Sequence, residues 1–226
     1  MPLYKGLVRF CFLIFAMSFL VGVSGCVRSR ASLTQDNKTV RRGVYQVSPP
    51  GEGWNAHRGE KTWRGGMSGM SRDAYFVSCP GPKVIVIYSA GWDPWKYGRK
   101  KREAIDVDSF EGLALDYLEE QYNFLGIKNE IISHQPINLA GLEAVEAVFK
   151  TEQESFESCQ SLNKTMRIEL NKYVVIKRGQ WDYGRFSRRG KWPEMIVLWY
   201  GSPIENFEEG VGDFDEMVQS FHFLKN

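Results

Sequence analysis

The chain has 226 residues, with 29 Lys and Arg against 27 Asp and Glu, a formal charge of +2, and four cysteines. The excess comes from Lys5 and Arg9 near the start; without them 27 cations face 27 anions, which excludes a global basic field for nucleic acid. A length of this order, less a leader, forms one domain large enough to bury a core.

Lys5 and Arg9 precede an apolar run from Phe10 to Val23, the pattern of an export signal. The run falls short of the ~20 apolar residues that a membrane-spanning helix needs. It closes on Val23-Ser24-Gly25-Cys26, small side chains directly before a cysteine. This motif resembles the lipobox of bacterial lipoproteins, a resemblance that covers the first 26 residues. It implies cleavage of a signal peptide, residues 1–25. Cys26 then becomes the first residue, with a diacylglycerol on sulfur and a further acyl chain such as palmitate on the amine. One chain gives only reversible membrane binding, at about 0.8 kcal/mol per buried methylene, and two or more give stable anchoring. Val27 stands where an aspartate would indicate inner-membrane retention in enteric-type bacteria. The expected location is therefore the outer membrane, facing the periplasm, of a two-membrane organism.

Residues 26–42 are mostly polar and charged, with too little apolar surface to offset the entropy of ordering, and are expected as a lipidated flexible tether. The folded domain is expected over 43–226. Cys11 leaves with the signal, so the mature chain retains Cys79 and Cys159 besides the lipid-bearing Cys26. The two either form one disulfide or are separately buried thiols, and an oxidising compartment favours the disulfide.

A short strand at 43–47 ends at Pro49-Pro50. The following Gly51-Glu52-Gly53-Trp54-Asn55-Ala56 fits a dinucleotide-binding glycine pattern on paper, but it lacks the preceding buried strand and the following helix that this use requires. Residues 73–79 and 83–89, rich in β-branched and aromatic side chains, read as adjoining strands across Pro80-Gly81-Pro82. Next come Trp92, Trp95, Arg99, Lys100, Lys101 and Arg102, the candidate partner surface. Aromatics and clustered cations suit anionic headgroups, a glycan or an acidic protein. The competing reading is a solvated loop whose tryptophans cap the core edge.

Asp108-Ser109-Phe110-Glu111 has the form of a capping box with Asp108 as the cap. Phe110, Leu113, Ala114, Tyr117, Leu118 and Leu125 recur at helical spacing up to Gly126, so a core-facing helix is expected. Paired strands follow at 130–133 and 142–151, with a turn near 138–141. A polar loop at 153–164 carries Cys159, and the last two strands fall at 167–179 and 194–201. Between those two lies a second aromatic and cationic tip, 180–192. Ser202-Pro203 opens a C-terminal helix with Ile204, Phe207, Phe214, Met217, Val218 and Phe221 on its apolar face.

The expected fold class is therefore α+β, a mostly antiparallel sheet flanked by one internal helix and a C-terminal helix, after a cleaved signal helix. The order of elements, the 45–54 stretch, the helix from Ser109, Gly141 opening a strand and Ser220-Phe221 resemble the PsbP-like α/β/α sandwich superfamily over 43–226. That resemblance implies an adaptor or assembly factor rather than an enzyme. No metal or chloride ligand of the family maps onto a matching position.

His57, His134 and His222 lack metal-ligand spacing, no zinc cysteine pairs occur, and Gly66-Met67-Ser68-Gly69-Met70 fails the nucleophile-elbow pattern. No catalytic, cofactor or metal residue is assigned, and no cofactor is expected. The expected function is a membrane-anchored, non-catalytic envelope module whose partners are the membrane, through its lipid, and an envelope protein or surface component. The alternative is an envelope hydrolase or thiol enzyme built from scattered residues, including a cysteine and histidine that meet in space.

Overall fold

The computed structural model describes residues 32–33, 40–41, 45–58, 71–79, 81–91, 109–156, 164–181 and 192–224. The chain divides into two units, Met1–Arg30 and Ala31–Asn226, and every described residue lies in the second. In chain order these are β1 (Ser32–Leu33), β2 (Val40–Arg41), β3 (Tyr45–Val47), β4 (Trp54–Arg58), β5 (Ser71–Ser78), β6 (Lys83–Gly91), α1 (Phe110–Leu125), β7 (Lys128–Leu139), β8 (Leu142–Phe156), β9 (Lys164–Trp181), β10 (Trp192–Pro203), α2 (Phe207–Gln219) and β11 (His222–Phe223). A 3-10 turn, Ile204–Asn206, leads into α2.

Seven strands form one antiparallel sheet in the order β4-β5-β6-β10-β9-β8-β7. A side sheet, β1-β2-β3-β11, joins the start of the domain to its end. Successive strand residues point to opposite faces, so the near-continuous apolar runs of β6, β9 and β10 serve two cores. On one face Ile85, Ile87, Val174, Ile176, Ile196, Leu198 and Tyr200 meet Phe207, Phe214, Met217 and Val218 of α2, with Tyr45 and Val47 of β3. On the other, Val86, Tyr88, Val145, Ala147, Phe149, Val175 and Val197 meet Phe110, Ala114, Tyr117, Leu118 and Tyr122 of α1. The result is the expected helix, sheet, helix layering.

Local chemistry corrects several boundaries. The cap of α1 is Ser109, not Asp108, which lies outside the described residues; the Ser109 hydroxyl accepts from the Gly112 N–H at 3.0 Å. Glu111 does not reach back as a capping box requires, because it pairs with His134 of β7 at 2.8 Å. Gly126 adopts the left-handed conformation, φ 68°, and ends α1 as read from the sequence. The expected apolar stripes are buried except at their ends, Leu125 and Ile204, which are 65% and 47% exposed.

The β7–β8 turn is Ala140-Gly141, both with positive φ, a two-residue hairpin loop that matches the strand twist. The loop expected at 153–164 starts later, because β8 runs to Phe156 and β9 begins at Lys164. That stretch pairs as strand although Gln153, Glu154 and Ser155 are all polar, so it carried no alternating apolar signal. Four short strands escaped the sequence reading: β4, β11 and the two-residue β1 and β2, which sit within the stretch expected as tether.

Candidate functional site

Strand register places several chain connections at one end of the seven-stranded sheet. Gly91, the last residue of β6, pairs with Glu194, and Trp181, the last of β9, pairs with Trp192, the first of β10. The segment 92–108, which leaves β6, and the 182–191 connection between β9 and β10 therefore start at the same end of the sheet. The 59–70 connection also begins and ends there, since Arg58 pairs with Ala74 and Ser71 with Ser89. Ala144 pairs with Ile176, which brings the β7–β8 turn to this end as well. Trp92, Trp95, Arg99, Lys100, Lys101 and Arg102 lie outside the described residues, but both ends of the segment that carries them are fixed by β6 and α1.

The domain's first long-range contact lies close to the same edge. Asp73 sits at the irregularity between Arg72 and Ala74, where β5 shifts register against β6. Its buried carboxylate accepts from the Tyr45 hydroxyl at 2.5 Å and from Ser89 at 3.2 Å. Tyr45 also stacks on Phe221, with ring centroids 5.1 Å apart. β3, the strand that follows the expected tether, is thus fastened to the main sheet two residues from the end of β6.

Polar groups inside the other half of the fold are satisfied in pairs. The Asn171 amide is fully buried; it donates to Thr151 Oγ1 at 3.0 Å and accepts from Trp199 Nε1 at 2.9 Å. A methyl group on Gly201 would meet Asn171 Oδ1 at 2.9 Å and the Trp199 ring at 3.0 Å, so only glycine admits this close approach. Tyr122 and Tyr173 share a hydrogen bond between hydroxyls. Burial pushes both phenols, and that of Tyr88, far above the usual range; for Tyr88 a bond from Tyr117 opposes the shift, as one from Tyr173 does for Tyr122. These groups rigidify the core.

Lys172 bridges β9 to α2 and β8, donating to Asp215 at 2.7 Å and lying 3.1 Å from Glu146. Burial alone would lower its pKa, but the hydrogen bonds and charges of the two carboxylates outweigh it and the net shift is upwards. The other acidic residues of this region turn to separate partners: Glu205 to Arg167 at 3.9 Å, Glu209 to Lys83 at 3.1 Å, and Asp213 to the Trp54 indole at 2.8 Å. Among the described residues no group of three or more His, Cys, Asp or Glu could hold a metal.

The three histidines fall on β4, β7 and β11. His134 pairs with Glu111, and His222 lies 3.0 Å from the Ser220 carbonyl. Gly51 to Gly53 form a turn into a strand, not into a helix, so the glycine pattern cradles no phosphate. Cys79, exposed after β5, is half of a disulfide. Cys159 and Cys26 lie outside the described residues. Among the described residues no helix is long and apolar enough to cross a membrane.

Asn171 and Asp73 are the residues that sequence reading missed. Nothing in the alternating polar and apolar run Ile168-Glu169-Leu170-Asn171 distinguishes the buried Asn171 from a solvent-facing strand residue.

No protein-family model matches the chain, and no curated protein matches it in sequence. Among solved structures it is similar to the solution structure of cyanobacterial PsbP (CyanoP) from Synechocystis sp. PCC 6803. Identity is 12%, over 89% of this chain and 96% of that one, with a TM-score of 0.42. It is also similar to LpqN of Mycobacterium tuberculosis, a protein involved in cell envelope biogenesis. Identity there is 10%, over 82% of this chain and 87% of that one, with a TM-score of 0.45. Both likenesses concern the course of the chain at low identity, and no residue role is carried over from either.

Proposed function

We propose that the protein is a lipid-anchored, non-catalytic binding module of a bacterial envelope, held through Cys26 and facing its membrane with the loop-bearing end of the sheet. The observation that carries this reading is the register of β6, β10 and β9, from which two aromatic and cationic segments leave side by side. The first, 92–108, has Lys96, Arg99, Lys100, Lys101 and Arg102 against Asp93, Glu103, Asp106 and Asp108; its cations gather at 96–102 beside Trp92, Trp95 and Tyr97. The second has Arg185, Arg188, Arg189 and Lys191 against Asp182, with Tyr183 and Phe186. Tyr45, where the chain enters the fold after the tether, is bonded close to that end.

A lipid anchor and clustered cations at one end act together. The acyl chains hold the protein at the bilayer, and each cation near an anionic surface adds about 1 kcal/mol. Anionic headgroups are the ligand chemistry that this arrangement suits. The outer leaf of the proposal is location: Val27 favours the outer membrane, with the domain in the periplasm. Cys159 is the proposed partner of Cys79, which also fits an oxidising compartment.

The test uses the Cys26→Ala chain, so that no lipid masks the weaker contact, with vesicles of phosphatidylglycerol or of phosphatidylcholine. The expected result is binding to the anionic vesicles alone, weakening with salt. Reversing Arg99, Lys100, Lys101 and Arg102 to glutamate should lower it at least about a hundredfold. Equal binding to both vesicles, or an unchanged affinity after reversal, contradicts the proposal.

A further inference from the structure

The link between the acylated residue and the fold is shorter than the sequence suggests. β1 pairs with β2, Ser32 with Arg41 and Leu33 with Val40, and β2 pairs in turn with β3, Val40 with Val47 and Arg41 with Gln46. From Cys26 to the first strand is thus six residues, which span at most about 20–22 Å. A chain free as far as Gly43 would reach about 60 Å. The direction of entry is also set. Tyr45 is bonded to Asp73 near the loop-bearing end, and Val47 lies beyond Gln46, farther from it. Ser32 shares the row of Arg41 and Gln46, and Leu33 shares that of Val40 and Val47, so the chain arrives at β1 from the loop-bearing side.

Charge is divided unevenly along the chain that remains after the leader. From Val27 to Val44 there are five cations, Arg28, Arg30, Lys38, Arg41 and Arg42, and one anion, Asp36. The chain without its leader has 27 of each, so the remainder carries 22 cations against 26 anions. Register adds a face. Tyr45 and Val47 are buried, which turns Gln46 outward between them. Cross-strand partners share a face, so Arg41 stands on the outer side of the side sheet with Gln46 and the exposed His222.

We propose that this basic ribbon, residues 28–42, is a second binding site for anionic lipid headgroups, separate from the segments 92–102 and 182–191. The inference rests on the reading that Cys26 carries the anchor. The short link selects the occupant: a ribbon that starts within about 22 Å of the acylated residue has the bilayer as the one surface always in reach. Charge agrees, because an anionic leaflet attracts the ribbon and repels the net negative charge of the remainder. Pairing of β1 with β2 makes part of the expected tether a docked surface, so the domain lies against its membrane and does not stand off from it.

The test measures partition of the Cys26→Ala chain onto phosphatidylglycerol vesicles, so that no acyl chain masks the contact. Changing Arg28, Arg30, Arg41 and Arg42 to glutamine should weaken binding at least about twentyfold, the effect of two of the four contacts at ordinary strength. Arg28→Gln with Arg30→Gln alone, which precede β1 and spare both sheets, should weaken it about fivefold. The control is Lys128→Gln with Lys150→Gln, at the opposite end, where β8 and β9 run past β7 and β10 as a two-stranded arm; it should leave binding unchanged. The two headgroup sites fail separately. Binding that drops with the ribbon but not with reversal of Arg99 to Arg102 contradicts the loop reading and supports the ribbon, and the opposite pattern overturns the ribbon. A ribbon variant that binds like the parent, or an equal loss from the control pair, also overturns it. An unacylated Cys26, read by mass spectrometry of the native protein, overturns the anchor and this inference together.

Discussion

The two ends of the seven-stranded sheet are built differently. At one, β4, β5, β6, β9 and β10 give way to segments rich in cations, tryptophan and glycine, and strand register sets the starting points of those segments at the same end. At the other, the strands are closed by a hairpin arm and by polar groups that bond one another inside the core, Asn171 with Thr151 and Trp199 foremost. The difference shows that composition is placed unevenly along one sheet: aromatic and cationic segments start at the end near Tyr45, and the Asn171 relay lies away from it.

The largest effect should come from removing the anchor. Cys26→Ala should move the protein from the membrane fraction to the soluble fraction almost completely at moderate salt, because the acyl chains proposed at Cys26 would dominate the cationic contribution. Fractionation checks this; a variant that stays in the membrane fraction through carbonate washing would show that the apolar leader, not lipid, holds it.

Next comes the packed end. Asn171→Leu removes the middle member of a buried relay and takes from the Trp199 indole N–H its acceptor and from the Thr151 hydroxyl its donor, at a cost of about 2–4 kcal/mol. Urea denaturation measures it, and a change below about 0.5 kcal/mol would mean that the relay does not hold this end. Vesicle binding of the folded variant should be unchanged, which separates the two ends experimentally.

A smaller effect is expected from pH. Tyr88, Tyr122 and Tyr173 are held above the usual phenol range, chiefly by burial, and Lys172 is raised by Asp215 and Glu146 against its burial. In each case the folded state keeps its proton to a higher pH than the unfolded chain does. The stability they contribute is fully present below the unfolded values of about 10 to 10.4 and is lost as pH rises through the folded ones. Melting temperature should thus be flat across neutral pH and fall above about pH 10. Phenylalanine at Tyr122 and Tyr173 together should flatten the tyrosine part of that fall.

Much of the fold was legible because period and punctuation agreed. Helix α1 follows from Phe110, Leu113, Ala114, Tyr117 and Leu118 with Gly126 behind them, and the β7–β8 turn follows from a glycine between two strand patterns. The arm was not legible. Gln153, Glu154 and Ser155 are all polar and show no apolar alternation, and strand there is imposed by its continuation from the buried part of β8. β4 and β11 were missed because each is short and depends on a partner far away in the chain, Ser78 for Trp54 and Tyr45 for Phe223. The cap moved by one residue because Ser109 competes on equal terms with Asp108. For the candidate surface, composition singled out both cationic segments, but only strand register shows that they start from the same end of the sheet.

The orientation of the domain on its membrane tests the account most directly. The full chain is reconstituted in vesicles with a spin label at Asn138, beside the loop-bearing end, or at Asn123, near the arm end, and relaxation by a paramagnetic lipid headgroup is measured. The account predicts strong relaxation at 138 and little at 123. Equal relaxation at both positions, or the reverse order, would contradict it.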